Sequence, residues 1–285
     1  MKEITSKDNR IFKSFEQLLQ KKYRDRSGEY LIEGENLVAE AIRNGAEIRT
    51  IFVRADRAED YADLVASAMA DAGSQAGQTH RPSAFSLAEA LFDRLSQTET
   101  SQGIIASVRK PEHRKQEFLG PDARGASGRD GSAARGNFLV LDRLQDPGNI
   151  GTIIRTADAA GYKLVIALKG TADIFSSKTV RAATGSLFRM PVVFMDSNQE
   201  LVEFTRAAGK KLVATCFDTD RYYYDENLTD NIALIIGNEG NGICQELIES
   251  SDLRIKIPMH GNIESLNASV AAGILMYESV RGNYR

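Results

Sequence analysis

The 285-residue chain has no tryptophan, two cysteines, three histidines and six prolines. Cys216 and Cys244 stand at no metal-ligand spacing, which excludes a disulfide framework and a zinc ribbon and fits a cytoplasmic chain with reduced thiols. His80, His113 and His260 are scattered, so neither a zinc site nor a histidine-based catalytic dyad is expected, and no metal. No apolar run approaches the roughly 20 residues that cross a bilayer. The polar start from Met1 to Arg10 lacks the apolar stretch of a signal peptide, so no membrane association is expected. Also missing is a GxGxxG turn after the first strand of the second half, where Leu141 runs into Asp-Arg-Leu-Gln-Asp-Pro-Gly. The run from Gly237 to Gly242 does not end in Gly-Lys-Ser/Thr, which excludes a phosphate-binding P-loop.

A general excess of positive charge is absent too. The net charge of −3 argues against indiscriminate nucleic-acid binding, which needs a strongly basic domain. Residues 1–30 nevertheless hold eight Lys/Arg against five acids. Such a patch reads as a solvated helix face or as a contact for an RNA backbone.

What is present is a globular composition, 42% hydrophobic and 26% charged, enough for one large domain or two ordinary ones. The first third alternates helix and strand. Helical spacing of Phe12, Phe15, Leu18 and Leu19 predicts a helix over 12–22, followed by a strand at 30–32 and a helix with Leu37, Val38, Ala41 and Ile42 on one side. Gly45 fits as its stop. A strand at 48–53, a helix at 61–70, a loop at 71–79, a helix at 86–95 and a strand at 103–108 complete this part. Residues 111–136, rich in Gly, Ser and Pro and poor in apolar groups, cannot offset their chain entropy by burial and read as a flexible linker. From residue 137 onward, short and nearly all-apolar strands at 138–141, 164–167, 191–194, 211–215, 232–236 and 253–257 alternate with helices. That pattern is an α/β fold with a parallel sheet covered on both faces. A last helix spans 266–281 and carries small residues on one side. The expected division is 1–110, 111–136 and 137–285.

Three segments of the second half place Gly, Asn, Ser or a charge beside an apolar run. They are Asn149-Ile-Gly151 leading to Arg155, then Gly237-Asn238-Glu239-Gly240, then Ile257-Pro258-Met259 leading to Ser265-Leu266-Asn267. Loops of this composition leave buried strands with backbone amides and short polar groups facing a ligand, and three in one domain suggest one composite site. On residues alone, Asn149 reads as an Asx turn and Ser265 or Asn267 as a helix N-cap. Ile257 and Leu266 read as core residues. Tyr222-Tyr-Tyr224 either stacks on bases or packs on the sheet, and the basic stretch from Lys178 to Arg189 is open to the same two readings, RNA phosphate contact or ordinary surface.

In order and wording these segments closely resemble the SpoU (TrmH) family of RNA ribose 2'-O-methyltransferases. The match runs from Asp146-Pro-Gly-Asn149-Ile-Gly151 and Arg155-Thr-Ala-Asp158 through Ile236-Gly237-Asn238-Glu239-Gly240 to Ser265-Leu266-Asn267-Ala-Ser269-Val270-Ala271. More weakly, Tyr30-Leu-Ile-Glu33-Gly34-Glu35-Asn36 and Ser101-Gln-Gly103 resemble that family's ribosomal-protein-like substrate-binding domain. The resemblance implies a trefoil-knotted C-terminal (SPOUT) domain that binds S-adenosylmethionine and pairs as a homodimer, and structured RNA, ribosomal RNA before transfer RNA, as substrate. It implies cofactor contacts at Gly237, Asn238, Gly240, Ile257, Met259 and Leu266. It implies catalytic work by Arg155, supported by Asn149, Glu239, Ser265 and Asn267. A non-catalytic ribosome-assembly protein on the same fold is the alternative.

Overall fold

The computed structural model describes residues 1–71, 81–119, 136–229, 231–263 and 265–284. It divides into two units, Met1–Pro111 with Phe175–Phe188, and Glu112–Ile174 with Arg189–Arg285.

The first unit contains β1 (Lys2–Ile4), α1 (Arg10–Gln17), α2 (Lys21–Ser27), β2 (Glu29–Glu33), α3 (Glu35–Arg43), β3 (Ile48–Arg54), α4 (Ala62–Asp71), β4 (Ser83–Leu87), α5 (Glu89–Leu95) and β5 (Ile104–Arg109). Its mixed sheet has the order β1-β4-β3-β5-β2, with β1, β4 and β3 parallel and β5 antiparallel to both its neighbours. Phe12, Phe15 and Leu18 from the helical side meet Phe52, Leu87, Phe92 and Ile105 in one buried cluster. The helix expected over 12–22 is two helices: α1 starts earlier, where Asn9 Oδ1 accepts from the Ile11 and Phe12 amides, and stops at Leu18. The helix expected from residue 86 starts only at Glu89, because Ser86 and Leu87 pair in register with Val53 and Arg54 of β3.

The second unit contains β6 (Phe138–Asp142), α6 (Pro147–Ala159), β7 (Leu164–Leu168), β8 (Val192–Met195), α8 (Asn198–Ala207), β9 (Lys211–Thr215), β10 (Ile232–Gly237), α9 (Gln245–Ser250), β11 (Leu253–Ile255) and α10 (Ala268–Val280). Between β7 and β8 lies α7 (Ser177–Ala183), which groups with the first unit. The sequence reading had assigned it to the C-terminal domain. The six strands are all parallel, in the order β11-β9-β10-β6-β7-β8. Every residue of β6 and β7 is buried, as a sheet covered on both faces requires. The last strand ends at Ile255 rather than 257, and the last helix runs from Ala268 to Val280, capped by Asn267.

The stretch expected to be a linker begins in packed structure. Phe118 and Leu119 lie against the core of the second unit, with the Phe118 ring edge-on to Phe138 at 6.4 Å between centroids. Residues 120–135 of that expected linker, and the expected loop from 72 to 79, fall outside the described residues.

Candidate active site at the carboxyl ends of the parallel strands

In an open parallel sheet, ligands bind beyond the carboxyl ends of the strands, where loops diverge. Here the ends of the two central strands, β6 and β10, are closed by charge and by glycine. Asp142, the last residue of β6, is fully buried. Its carboxylate accepts from Arg143 Nε at 2.8 Å and Arg143 Nη2 at 2.9 Å, and from the Cys244 amide at 2.9 Å. Arg143 reaches back by taking φ +58°, and the hydrogen-bonded carboxylate beside it pushes its guanidinium pKa up further. Sequence reading missed this pair. Its one signal was a charge closing an otherwise apolar strand, since a buried carboxylate must be paired.

Gly237 closes β10. A Cβ there would sit 2.4 Å from the Gly242 carbonyl carbon and 2.4 Å from the Ile243 nitrogen, so only glycine fits. The close approach belongs to a tight turn in which Asn238 and Gly242 exchange backbone hydrogen bonds at 3.0 and 2.9 Å. Asn238 fixes that turn from inside. Its Oδ1 accepts from the Gly240 and Asn241 amides, and its Nδ2 donates to the Arg143 carbonyl at 2.8 Å.

The first and second segments meet at Glu239. Its carboxylate accepts from the Gln145 amide at 2.9 Å, the Asp146 amide at 3.1 Å and Asn149 Nδ2 at 3.1 Å. Burial pulls the Glu239 pKa upward, but the donors Gln145, Asn149 and Asp146 outweigh it and hold the carboxyl below its usual range. Asn149 is then the bridge to the third segment: its Oδ1 accepts from Asn267 Nδ2 at 3.0 Å. Asn267 in turn caps α10, its Oδ1 accepting from the Ser269 amide at 2.9 Å and the Val270 amide at 3.4 Å. Glu239, Asn149 and Asn267, far apart in sequence, form one continuous chain of hydrogen bonds.

One expectation needs correction: Asn149 does not sit in an Asx turn ahead of a helix. Asp146 is the N-cap, its Oδ1 accepting from the Asn149 amide at 2.9 Å, and Pro147 opens α6. Asn149 is therefore already in the first turn, its backbone amide held by the cap. Arg155 follows by six residues, about 600° of helix, and projects from the exposed side of α6 while Ile150, Ile153, Ile154 and Ala157 face the core. Asn267 is the cap of α10, and Ser265 is exposed two residues before it.

Ile257, Met259 and Leu266 are half-buried rather than core residues. Among the described residues their backbone N–H groups donate to no carbonyl, leaving three free main-chain donors beside apolar side chains. Tyr222 and Tyr224 stack on each other at 5.5 Å and 7°, and Lys256 Nζ lies 5.2 Å from the Tyr222 ring, so at least one of these rings packs on the sheet margin. Among the described residues no group of His, Cys, Asp and Glu could hold a metal, and no helix is long and apolar enough to cross a membrane.

A family model described as the SpoU rRNA methylase family matches residues 136–277, and one described as the MRM3-like substrate binding domain matches residues 9–106. The chain is 36% identical over 277 residues to a 23S rRNA (guanosine(2553)-2'-O)-methyltransferase, RlmP, of Bacillus subtilis, covering 97% of this chain and 98% of the relative. The chain belongs to the SpoU rRNA methylase family. Within that family it is also 32% identical over 287 residues to a 23S rRNA (uridine(2479)-2'-O)-methyltransferase of Streptomyces viridochromogenes, covering 98% of this chain and 91% of that one. The solved AdoMet-bound rRNA methyltransferase from Sinorhizobium meliloti superposes with a TM-score of 0.81 at 30% identity, over 99% of this chain and 98% of that one. The family model for the methylase covers all six parallel strands and the whole Glu239–Asn149–Asn267 chain.

Proposed function

We propose that this protein transfers a methyl group from S-adenosylmethionine to a ribose 2'-hydroxyl of ribosomal RNA. The observation that carries the site assignment is the hydrogen-bonded chain from Glu239 through Asn149 to Asn267, which brings three separate segments to one point beyond the strand ends. The free amides of Ile257, Met259 and Leu266 suit the adenine edge of the cofactor, and the rigid Gly237-Asn238-Glu239-Gly240 turn suits its backbone. Bound there, S-adenosylmethionine supplies an activated methyl on a sulfonium. What the chain must supply is position and electrostatics.

Asn149 and Asn267 orient the site, with Ser265 exposed at its edge to meet the incoming ribose. Arg155 acts on the RNA side. A guanidinium, with a pKa above about 12, is a poor base. Its role in this reading is to hold the phosphate next to the target ribose and to stabilise the developing alkoxide. The fold family's trefoil knot and homodimer belong to the same proposal. Support for the dimer comes from α10, which leaves Val270 and Tyr277, seven residues apart, 51% and 49% exposed. A cytoplasmic location belongs to the same proposal.

The test is transfer of tritium from labelled S-adenosylmethionine into total RNA from a host strain lacking the gene, followed by mapping of alkali-resistant linkages. One resistant linkage in ribosomal RNA is expected. Label in transfer RNA keeps the chemistry and overturns the substrate. Absence of transfer to naked RNA and to ribosomal precursor particles, with RNA binding intact, overturns the catalytic reading in favour of an assembly factor.

A further inference from the structure

The first unit contains a cavity of about 230 Å³ lined by Glu33, Gly34, Asn36, Leu37, Thr98, Thr100, Gln102 and Arg181. All of these residues, Arg181 of α7 included, belong to that one unit. Its walls are fixed. The Glu33 carboxylate accepts from Ser96 Oγ at 2.6 Å, the Gln97 amide at 2.8 Å, Thr98 Oγ1 at 2.8 Å and Ser101 Oγ at 3.1 Å. Three of these neutral donors meet Oε1 and the Gln97 amide meets Oε2. Gln102 Oε1 accepts from the Glu35 amide at 2.8 Å, and Gly34 turns into α3 at φ +101° with its Cβ position filled by that same oxygen at 2.8 Å. One group is left over. Among the described residues Arg181 Nη1 is shielded from solvent and has no hydrogen-bond partner, so nothing offsets its desolvation.

We propose that this cavity takes one unstacked nucleobase of the RNA substrate, with Arg181 donating to an acceptor on the base edge. The volume is below the roughly 300 Å³ at which sites for drug-sized ligands begin and suits a single planar ring system. Leu37 gives a buried apolar floor, and the exposed Asn36, Thr100 and Gln102 give a rim of donors and acceptors. Sequence-specific RNA recognition uses this combination, a splayed base with its edge hydrogen-bonded. The Glu33 charge disfavours a phosphate in the same space, because the two anions would share one wall. The assignment rests on the reading of the chain as an RNA enzyme and extends it to where substrate selection occurs.

The experiment is a binding cycle with a hairpin RNA carrying the nucleotide mapped by label transfer. Single abasic residues are introduced along its loop, and Kd is measured for the wild type, Arg181→Ala and Asn36→Ala. One abasic position is expected to weaken the wild type about 10-fold, within the ~1–3 kcal/mol of a base contact, and to leave Arg181→Ala unaffected. Asn36 is exposed, so Asn36→Ala should reproduce part of the effect with an unchanged melting temperature. S-adenosylmethionine affinity and kcat at saturating RNA should not move. Equal abasic penalties in wild type and Arg181→Ala, with the wild type active, overturn the pocket alone. So does a loss of about one unit of salt slope on removing Arg181, which would make it a phosphate contact. A wild type that neither binds nor methylates RNA overturns the functional reading instead.

Discussion

Replacing Asn149 by Asp tests the central joint of the site with a near-isosteric change. The variant keeps the oxygen that accepts from Asn267 but puts a second carboxylate where Nδ2 now donates to Glu239 at 3.1 Å. Two unit charges at that separation repel by about 1 kcal/mol in water and about 5 kcal/mol at an effective dielectric of 20. The site is partly exposed, so the lower half of that range applies. With ~1.4 kcal/mol per factor of ten, S-adenosylmethionine affinity or methyl transfer should drop about 10-fold near pH 8. The pH dependence separates this cause from a loss of packing. In the wild type the Glu239 carboxyl is held below its usual range. Its contribution is therefore present above that range and is lost only as pH falls through the lowered value, which leaves the wild-type joint intact from pH 5.5 to 8.5. In the variant the two carboxylates compete for charge, one pKa rises, and a shared proton restores a donor between them. Isothermal titration of the cofactor and label transfer from pH 5.5 to 8.5 should show the variant-to-wild-type ratio climbing toward one at the acid end. A deficit independent of pH would refute the charge argument, and no deficit at any pH would remove Asn149 from the site.

Arg155→Ala should reduce label transfer by about 100-fold or more, the scale of losing one charge-stabilising donor, while cofactor affinity by titration stays within about 2-fold; loss of cofactor binding would place Arg155 in another role. Gly237→Ala forces a Cβ to 2.4 Å from two backbone atoms, so the turn must open: expected are loss of cofactor binding and a destabilisation of about 1–3 kcal/mol, read by calorimetry, and a variant that binds normally would show the turn to be dispensable. Ser279→Ala removes the partner of Asn137 Nδ2 at 3.2 Å and of the Tyr162 hydroxyl at 2.9 Å, in a buried network that ties α10 to the start of β6. Urea denaturation should show a loss of about 1–3 kcal/mol for the stranded polar groups, and a change under about 0.5 kcal/mol would mean that the network carries no weight.

The central parallel strands β6, β7 and β10 are legible because they are buried on both faces, so their sequences are close to unbroken Val, Ile, Leu and Ala. β1 and β4 are not, because β1 is a three-residue edge strand, β4 is partly exposed, and the two pair across some eighty residues. Asn149 reads as a loop residue because Asn and Gly suggest turns, although Asp146 followed by Pro147 is the sequence mark of a helix start. The three segments of the site could be named from their wording. That Glu239 reaches Asn149 and Asn149 reaches Asn267 could not, since nothing in one sequence encodes which of several short polar side chains meet. The placement of α7 with the first unit was equally hidden, because its composition fits either.

The same geometry explains why base preference cannot be read from the methylase half. Glu239 spends its oxygens on the Gln145 and Asp146 amides and on Asn149, Asn149 spends its amide on Glu239 and Asn267, and Asn238 is occupied by its own turn. These contacts tie the three segments to one another, and methyl transfer to a 2'-oxygen needs only the ribose and its neighbouring phosphate. Under the proposed reading that choice falls to the base pocket beside the Glu33–Gly34 turn, in the unit whose residues 9–106 match the substrate-binding family model, with Arg181 lining it from α7, a segment that the methylase model covers.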